Sequence, residues 1–363
     1  MKILHVINTL KTGGAEKLVS EIVPRLIKLG HKVDVFVFDG TNTYFKQILI
    51  NAGVNIISYK SGCNPYNPLV IFKLVNLLNQ YDIVHSHNTS SQLFVAIANL
   101  FCKPVLVTTE HSTSNRRRNK RVFRIIDKFM YNRYSKVICI SNSTKEMLSE
   151  YIPPIQNRLM TIYNGINTVR YSQAPRLSDD QKKTTKFVVT MVARFSYQKD
   201  HTTVLKALSH LDKSQFELWL VGDGERRGHI EYAIKNLGLS ENVRLWGQQD
   251  DVRSIIQSSD VILQISHIEG FGLAAVEGMA AGKPVVATDI PGLSEVISGA
   301  GVLVEPQDDI ELAEALKLLK NNPEFYMTTA QSCATRAKLF DIDVMAKKYN
   351  DLYESVIMKT ILP

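Results

Sequence analysis

The sequence predicts an α/β protein built from two parallel-sheet halves, and three observations carry that expectation. At 363 residues the chain is long enough for two domains of ordinary size. In its first half, short apolar runs at 3–9, 32–38, 54–57, 83–86, 105–109 and 136–140 alternate with helix-period runs at 15–29, 44–51, 69–79, 91–100, 121–134 and 144–151. The alternation stops over the polar stretch 172–186 and restarts with strand-like runs at 187–192, 217–221, 243–245, 261–265, 285–288 and 301–304. Repetition of this kind builds a parallel sheet covered on both faces. Ligands of such sheets lie beyond the carboxyl ends of the strands.

At 45% hydrophobic and 21% charged residues the composition is that of a globular protein and excludes a disordered or fibrous one. No uncharged apolar run approaches the ~18 residues of a membrane span. The opening Met1-Lys2-Ile3-Leu4-His5-Val6 enters a strand-like run directly, so no signal peptide is expected. Cys63, Cys102, Cys139 and Cys333 are scattered without C-x-x-C spacing and read as small core residues, which implies neither a disulfide framework nor a zinc site. A cytoplasmic location is expected.

Charge is unevenly placed. Residues 1–165 carry 21 Lys and Arg against 9 Asp and Glu, whereas the rest of the chain carries 22 against 26. Segment 115–136 supplies much of the excess, with Arg116, Arg117, Arg118, Lys120, Arg121, Arg124, Lys128, Arg133 and Lys136 against the single acid Asp127. Val122, Phe123, Ile125, Ile126, Phe129 and Met130 follow helical spacing within it. Two readings stand: a core-packed helix with a solvated basic face, or a surface that meets anionic lipid or a pyrophosphate-linked acceptor. Nucleic acid is not expected as a partner, because no recognition motif or stacking pattern accompanies the charge.

Several strand ends carry polar groups. Asn8-Thr9-Leu10-Lys11-Thr12-Gly13-Gly14 places two glycines before a helix, where backbone N–H groups can approach a phosphate; the plainer reading is a turn. It is neither a G-x-G-x-x-G nor a P-loop, which weakens dinucleotide and NTPase readings. His85 and His87 lie two apart and can share a strand face, but no third ligand follows at a recognisable spacing, so no metal is expected. His111 follows another strand-like run and is either a site residue or a loop histidine bonded to backbone. Arg194 and Lys199 follow a second-half strand and offer a planar fork and a point charge, a pairing suited to a diphosphate. Val221-Gly222-Asp223-Gly224 reads as a structural strand-to-helix turn.

The most informative stretch is His267-Ile268-Glu269-Gly270-Phe271-Gly272-Leu273-Ala274-Ala275-Val276-Glu277. A carboxylate in a loop and another two turns into a helix lie roughly 10–12 Å apart. That suits the two ends of an extended ligand, with the free amides of the helix N-terminus between them to receive an anion. Two loop and helix glutamates with only macrodipole roles are the plainer alternative.

With its continuation Gly278-Met279-Ala280-Ala281-Gly282-Lys283-Pro284-Val285-Val286-Ala287-Thr288, this stretch resembles the E-x7-E signature of retaining family 4 glycosyltransferases (GT4). The resemblance covers almost the whole chain and is strongest over 187–305. It implies the GT-B fold, two Rossmann-like β/α/β domains facing each other across an interdomain cleft that holds the active site. Residues 1–165 would bind acceptor and 166–343 the nucleotide sugar, with the last helix, 344–363, crossing back to the first domain. By the same resemblance, the amides of Gly13 and Gly14 face the donor's diphosphate and reacting sugar, and His111 approaches donor sugar and acceptor. Arg194 and Lys199 bind the diphosphate, Gly247 and Gln248 lie at the nucleobase, and Gly270, Phe271, Gly272 and Leu273 line the donor. Glu269 holds sugar hydroxyls and Glu277 the ribose. Asn167 stands where the family commonly has Asp.

The implied activity is metal-independent, cofactor-free transfer of a sugar from a nucleoside-diphosphate sugar, most simply a UDP-sugar, with retained configuration. A saccharide or lipid-linked saccharide in cell-surface polysaccharide synthesis is the expected acceptor, reached at the inner face of the cytoplasmic membrane. A sugar phosphorylase or nucleotide-sugar epimerase of the same fold is the alternative enzyme, and a basic membrane- or nucleic-acid-binding protein the alternative outside enzymes. Asp341-Ile342-Asp343 is a D-x-D, but its place before the terminal helix suggests capping rather than metal binding.

Overall fold

The computed structural model describes residues 1–113, 118 and 120–361. The chain divides into two compact units, Met1–Gly165 joined by the residues from Ile342 onward, and Ile166–Asp341. In the first unit β1 (Lys2–Ile7), β2 (Lys32–Asp39), β3 (Asn55–Lys60), β4 (Ile83–His87), β5 (Val105–Glu110), β6 (Lys136–Cys139) and β7 (Leu159–Thr161) form one sheet in the order β3-β2-β1-β4-β5-β6-β7. In the second unit β8 (Phe187–Val192), β9 (Phe216–Val221), β10 (Val243–Gly247), β11 (Val261–Gln264), β12 (Val285–Thr288) and β13 (Val302–Val304) form another in the order β10-β9-β8-β11-β12-β13. Every pairing in both sheets is parallel. Each is therefore a Rossmann-like sheet whose strand order reverses beside its first strand, between β1 and β4 and between β8 and β11.

The alternation of strand residues sorts each sheet into two buried faces. On one face of the first sheet Ile3, Ile7, Val35 and Val107 join Leu18, Val19 and Ile22 of helix Gly14–Lys28. Met345, Leu352 and Val356 of the terminal helix Ile342–Ile361 complete that core. On the other face Leu4, Val6, Phe36 and Val84 meet Leu74, Val95 and Met130. Two features were not legible in the sequence. β7 has three residues with only Leu159 buried, too short to show a period. The polar stretch 172–186 holds helix Asp179–Lys182, opened by a capping box between Ser178 and Gln181. Among the described residues Cys63, Cys139 and Cys333 are buried, Cys102 is partly buried, and all four are free thiols.

The first sheet also buries a polar layer. His5 and His85 are register partners on β1 and β4, and His87 lies two residues on along the same face. All three are fully buried. His85 Nδ1 is 2.5 Å from the Tyr353 hydroxyl, and its Nε2 is 2.8 Å from Thr109 Oγ1. Thr109 Oγ1 is in turn 3.1 Å from the Tyr349 hydroxyl. The terminal helix is thus held on the sheet by hydrogen bonds as well as by apolar contact. Burial keeps these imidazoles neutral, lowering His5 to about 3 and His85 and His87 well below the ordinary 6.5.

These shifts fix how stability depends on pH. Below 6.5 the unfolded chain binds protons that the folded chain refuses, so the stability carried by the neutral rings is complete above 6.5 and is lost as pH falls. The slope is about 1.4 kcal/mol per pH unit for each histidine in that window. We expect the opening free energy of β1 and β4, read by amide hydrogen exchange, to fall between pH 6.5 and pH 5. An opening free energy that stays flat over that range would mean the rings are protonated or hydrated in the folded chain.

Candidate active site

The second unit gathers Arg194, Lys199 and Glu269 at the carboxyl edge of its sheet. Arg194 and Lys199 lie in the loop after β8, and Glu269 in the loop after β11, so the two loops flank the point where strand order reverses. Lys199 forms an isolated antiparallel bridge with Ser266. Its ammonium pairs directly with the Glu269 carboxylate, both side chains being about four-fifths buried. Glu269 Oε2 also accepts from Gln264 Nε2 at 2.9 Å, and Oε1 from the Gly270 N–H at 3.2 Å. Arg194 is exposed. The pairing of Lys199 with Glu269 joins two residues that the sequence reading treated separately, and gives each a fixed orientation.

Gly272 takes φ +89°, the left-handed turn that lets the loop enter helix Leu273–Ala280. Phe271 is buried against the Phe340 ring, Leu273 is partly buried, and Glu277 is buried on the second turn of the helix. A Cβ on Gly292 would come within 2.5 Å of the Glu269 carbonyl oxygen, so the Ile290-Pro291-Gly292 turn rests on the backbone that carries the carboxylate. Gly247 ends β10 with φ +66°, and Gln248 beside it is exposed.

The structural reading of Val221-Gly222-Asp223-Gly224 has a physical basis. A Cβ on residue 222 would overlap the Ala193 carbonyl oxygen, and one on residue 224 would overlap that of Phe195. Hydrogen bonds from Phe195 N to Asp223 O and from Gly222 N to Gly247 O, 3.0 and 2.9 Å, tie the three loops into one layer. Asn167, in place of the family's Asp, caps helix Thr168–Ser172 by accepting from Arg170 N at 3.2 Å. The two acids of the D-x-D separate. Asp341 accepts from the Thr168 N–H and hydroxyl, whereas Asp343 pairs with Arg25 at 2.9 Å.

In the first unit, Gly13 caps helix Gly14–Lys28, and the Glu16 carboxylate folds back over it to accept from Asn88 Nδ2 at 3.3 Å. His111 is partly exposed after β5, with Nε2 3.1 Å from Nδ1 of His87; His87 Nε2 is 3.0 Å from Nδ1 of His5. Burial lowers His111 to about 4. Among the described residues His5, His85 and His87 form one group of metal-ligand type, with nitrogens within 4.8 Å of one another. Sequence spacing showed only His85 and His87. The third member is supplied by strand pairing across 80 residues, and the only sequence signal for it was a histidine inside the first strand.

The basic segment does not act as a single surface. Arg116 and Arg117 lie outside the described residues. Arg118 is buried, paired with Glu110 at 3.2 Å beside the Tyr131 hydroxyl. Arg133 donates to Asn99, and Lys136 to the Asn157 carbonyl oxygen. Helix Arg121–Asn132 buries Asp127, Met130 and Tyr131. Its apolar residues divide: Phe123 and Ile126 are half-buried, but Val122, Ile125 and Phe129 are 68%, 74% and 40% exposed. They stand beside the exposed Arg121, Arg124 and Lys128. Among the described residues no helix is long and apolar enough to cross a membrane.

The family model "Glycosyltransferase Family 4" matches residues 12–170, and "Glycosyl transferases group 1" matches 175–339. An uncharacterized glycosyltransferase of Methanocaldococcus jannaschii is 27% identical over 95% of each chain. The Escherichia coli UDP-Gal:alpha-D-GlcNAc-diphosphoundecaprenol alpha-1,3-galactosyltransferase is 25% identical over 79% of each. The crystal structure of Anabaena Alr3699/HepE in complex with UDP-glucose superposes with a TM-score of 0.85 at 24% identity, covering 98% of this chain and all of that one. Two Rossmann-like sheets with this topology are those of GT-B structures. Those matches, over a fold and a set of strand-end residues of this kind, make the chain a member of the group 1 and family 4 glycosyltransferases.

Proposed function

We propose that this chain transfers a sugar from a UDP-sugar to a saccharide or lipid-linked saccharide, with retained anomeric configuration and without a metal ion. The observation that carries the proposal is the Lys199–Glu269 pair at the reversal point of the second sheet, followed at once by the glycine-capped helix that buries Glu277. The leaving group of such a transfer is a diphosphate, and donors fixed in advance toward its developing charge supply the main rate term. Arg194, Lys199 and the amides at Phe271, Gly272 and Leu273 meet that demand, together with the amides at Gly13 and Gly14. Glu277 holds the ribose, Gly247 and Gln248 lie at the base, and His111 positions the donor sugar.

Glu269 serves as a hydroxyl acceptor that orients the reacting carbon. Its carboxylate is committed to the Lys199 ammonium, the Gln264 amide and the Gly270 N–H, which lowers its power as a free nucleophile. A retaining hydrolase needs an uncommitted carboxylate at the anomeric carbon; attack from the leaving-group face does not. The solved HepE complex with UDP-glucose supports the donor class, and the E. coli relative's printed acceptor, a diphosphoundecaprenol-linked sugar, supports the acceptor class. The exposed Val122, Ile125 and Phe129 between Arg121, Arg124 and Lys128 suit an anionic membrane at which such an acceptor would be met.

Release of UDP from a panel of UDP-sugars, with and without membrane extract and with EDTA present, tests the activity directly. Glu277→Ala and Arg194→Ala should each weaken UDP binding about 10- to 100-fold by calorimetry while leaving the fold intact, as expected for loss of a charge-assisted hydrogen bond. Unchanged affinity in both variants would remove the donor-site assignment. Glu269→Ala should reduce turnover more than UDP affinity, and equal losses would argue against its sugar-facing role.

The membrane face is tested by sedimentation with phosphatidylglycerol and phosphatidylcholine vesicles. Binding should need the anionic lipid, weaken with salt, and fall in Ile125→Asp and in Arg121→Gln/Arg124→Gln. Equal binding to both lipids, or none to either, would end that part of the proposal.

A further inference from the structure

His5, His87 and His111 stand in a row joined through their ring nitrogens. Nδ1 of His5 faces Nε2 of His87 at 3.0 Å, and Nδ1 of His87 faces Nε2 of His111 at 3.1 Å. The inner end of the row, Nε2 of His5, is buried without a hydrogen-bond partner among the described residues. Burial holds all three rings neutral at pH 7, so three rings share three protons. Two of those protons make the two N–H···N bonds. The third sits at one end of the row, either on Nε2 of His5, where the N–H would be buried with nothing to accept it, or on Nδ1 of His111. An N–H stranded in the interior forfeits its hydration and is rare in folded proteins. The other arrangement leaves a bare nitrogen at His5 and puts the N–H on the partly exposed ring, where water or a ligand takes it.

We propose that His87, backed by His5, is a positioning residue that holds His111 with Nε2 as acceptor and Nδ1–H as donor. His111 then meets the donor sugar as a neutral hydrogen-bond donor rather than as a base. This rests on the reading of His111 as a sugar-facing residue. The sheet builds the device directly: His5 is the register partner of His85, His87 is that of Thr109, and His111 lies two residues further along. His87 has little freedom, since its ring lies nearly parallel to that of His85, with centroids 4.4 Å apart, and meets that of His5 edge to edge. His85 stands outside the row, both its nitrogens being taken by the Tyr353 and Thr109 hydroxyls.

His5 and His87 also belong, with His85, to the buried group of metal-ligand type, but the geometry favours the proton row. An imidazole's lone pair lies in its ring plane, and a tetrahedral ion needs such planes to converge on one point. Here the ring planes are close to parallel, with interplanar angles of 28° between His5 and His85, 13° between His5 and His87, and 16° between His85 and His87.

The test uses the full-length protein labelled with 15N at histidine, with His111 assigned by its absence from His111→Ala. Two-bond nitrogen–proton spectra should show the Nδ1–H form of His111 in the wild type. In His87→Phe, which keeps a ring but removes the donor, His111 should turn to the Nε2–H form. UDP release in that variant should fall about 10- to 100-fold in kcat, with UDP affinity within about twofold, in line with the loss of an orienting hydrogen bond. His87→Asn, which returns an N–H near the position of Nδ1, should recover most of the rate. An Nε2–H form of His111 in the wild type would overturn the proposal even if His87→Phe failed to fold. So would a fully active His87→Phe alongside an inactive His111→Ala, or a stoichiometric Zn2+ that His5→Phe releases. Full turnover by His111→Ala would instead remove the sugar-facing role, leaving the tautomer result to stand by itself.

Discussion

In each sheet the strand order reverses beside the first strand, with β1 flanked by β2 and β4 and β8 flanked by β9 and β11. Right-handed crossovers then carry the connecting helices to opposite faces on the two sides of that strand, and the loops above it part. This one topological constraint decides which residues can act together. In the second unit it sets Lys199 after β8 opposite Glu269 after β11, 70 positions apart in the chain. In the first it sets His5 on β1 beside His85 and His87 on β4. Neither grouping arises from local sequence; both follow from strand pairing.

Opposed loops still have to be held at the right height, and backbone packed on backbone does this in the second unit. The turn at Gly222 and Gly224 presses on the Ala193–Phe195 loop so closely that any side chain would collide with a carbonyl. The turn at Gly292 does the same beneath Glu269. Side-chain rotamers therefore have little part in the spacing, which matters because transfer chemistry is sensitive to sub-ångström misplacement. Arg194 and Lys199 inherit a fixed base from a turn that has no chemistry of its own.

What the sequence made legible follows from the same physics. Strands buried on both faces read as continuous apolar runs, so twelve of the strands were visible close to their observed bounds, and Phe187–Val192 and Val285–Thr288 were read to the residue. β7 was not, because three residues carry no period. Glu269, the glycine turn and Glu277 were legible because they are contiguous. The bond from Lys199 to Glu269 and the third histidine were not, since both are made across the sheet. Segment 115–136 misled in part: charge counting cannot separate Arg118, buried on Glu110, from Arg121 and Arg124, which are exposed. Helical spacing likewise placed Ile125 with Met130, although only Met130 enters the core.

The two units bury polar groups in opposite electrical states, and the difference suits different tasks. The second presents a cation and a carboxylate compensating one another, Lys199 on Glu269. The first presents neutral imidazoles whose charging is opposed by burial. Had His111 been fully hydrated, with an ordinary pKa near 6.5, it would have protonated in part near neutrality. Its place at the end of a buried neutral row prevents this.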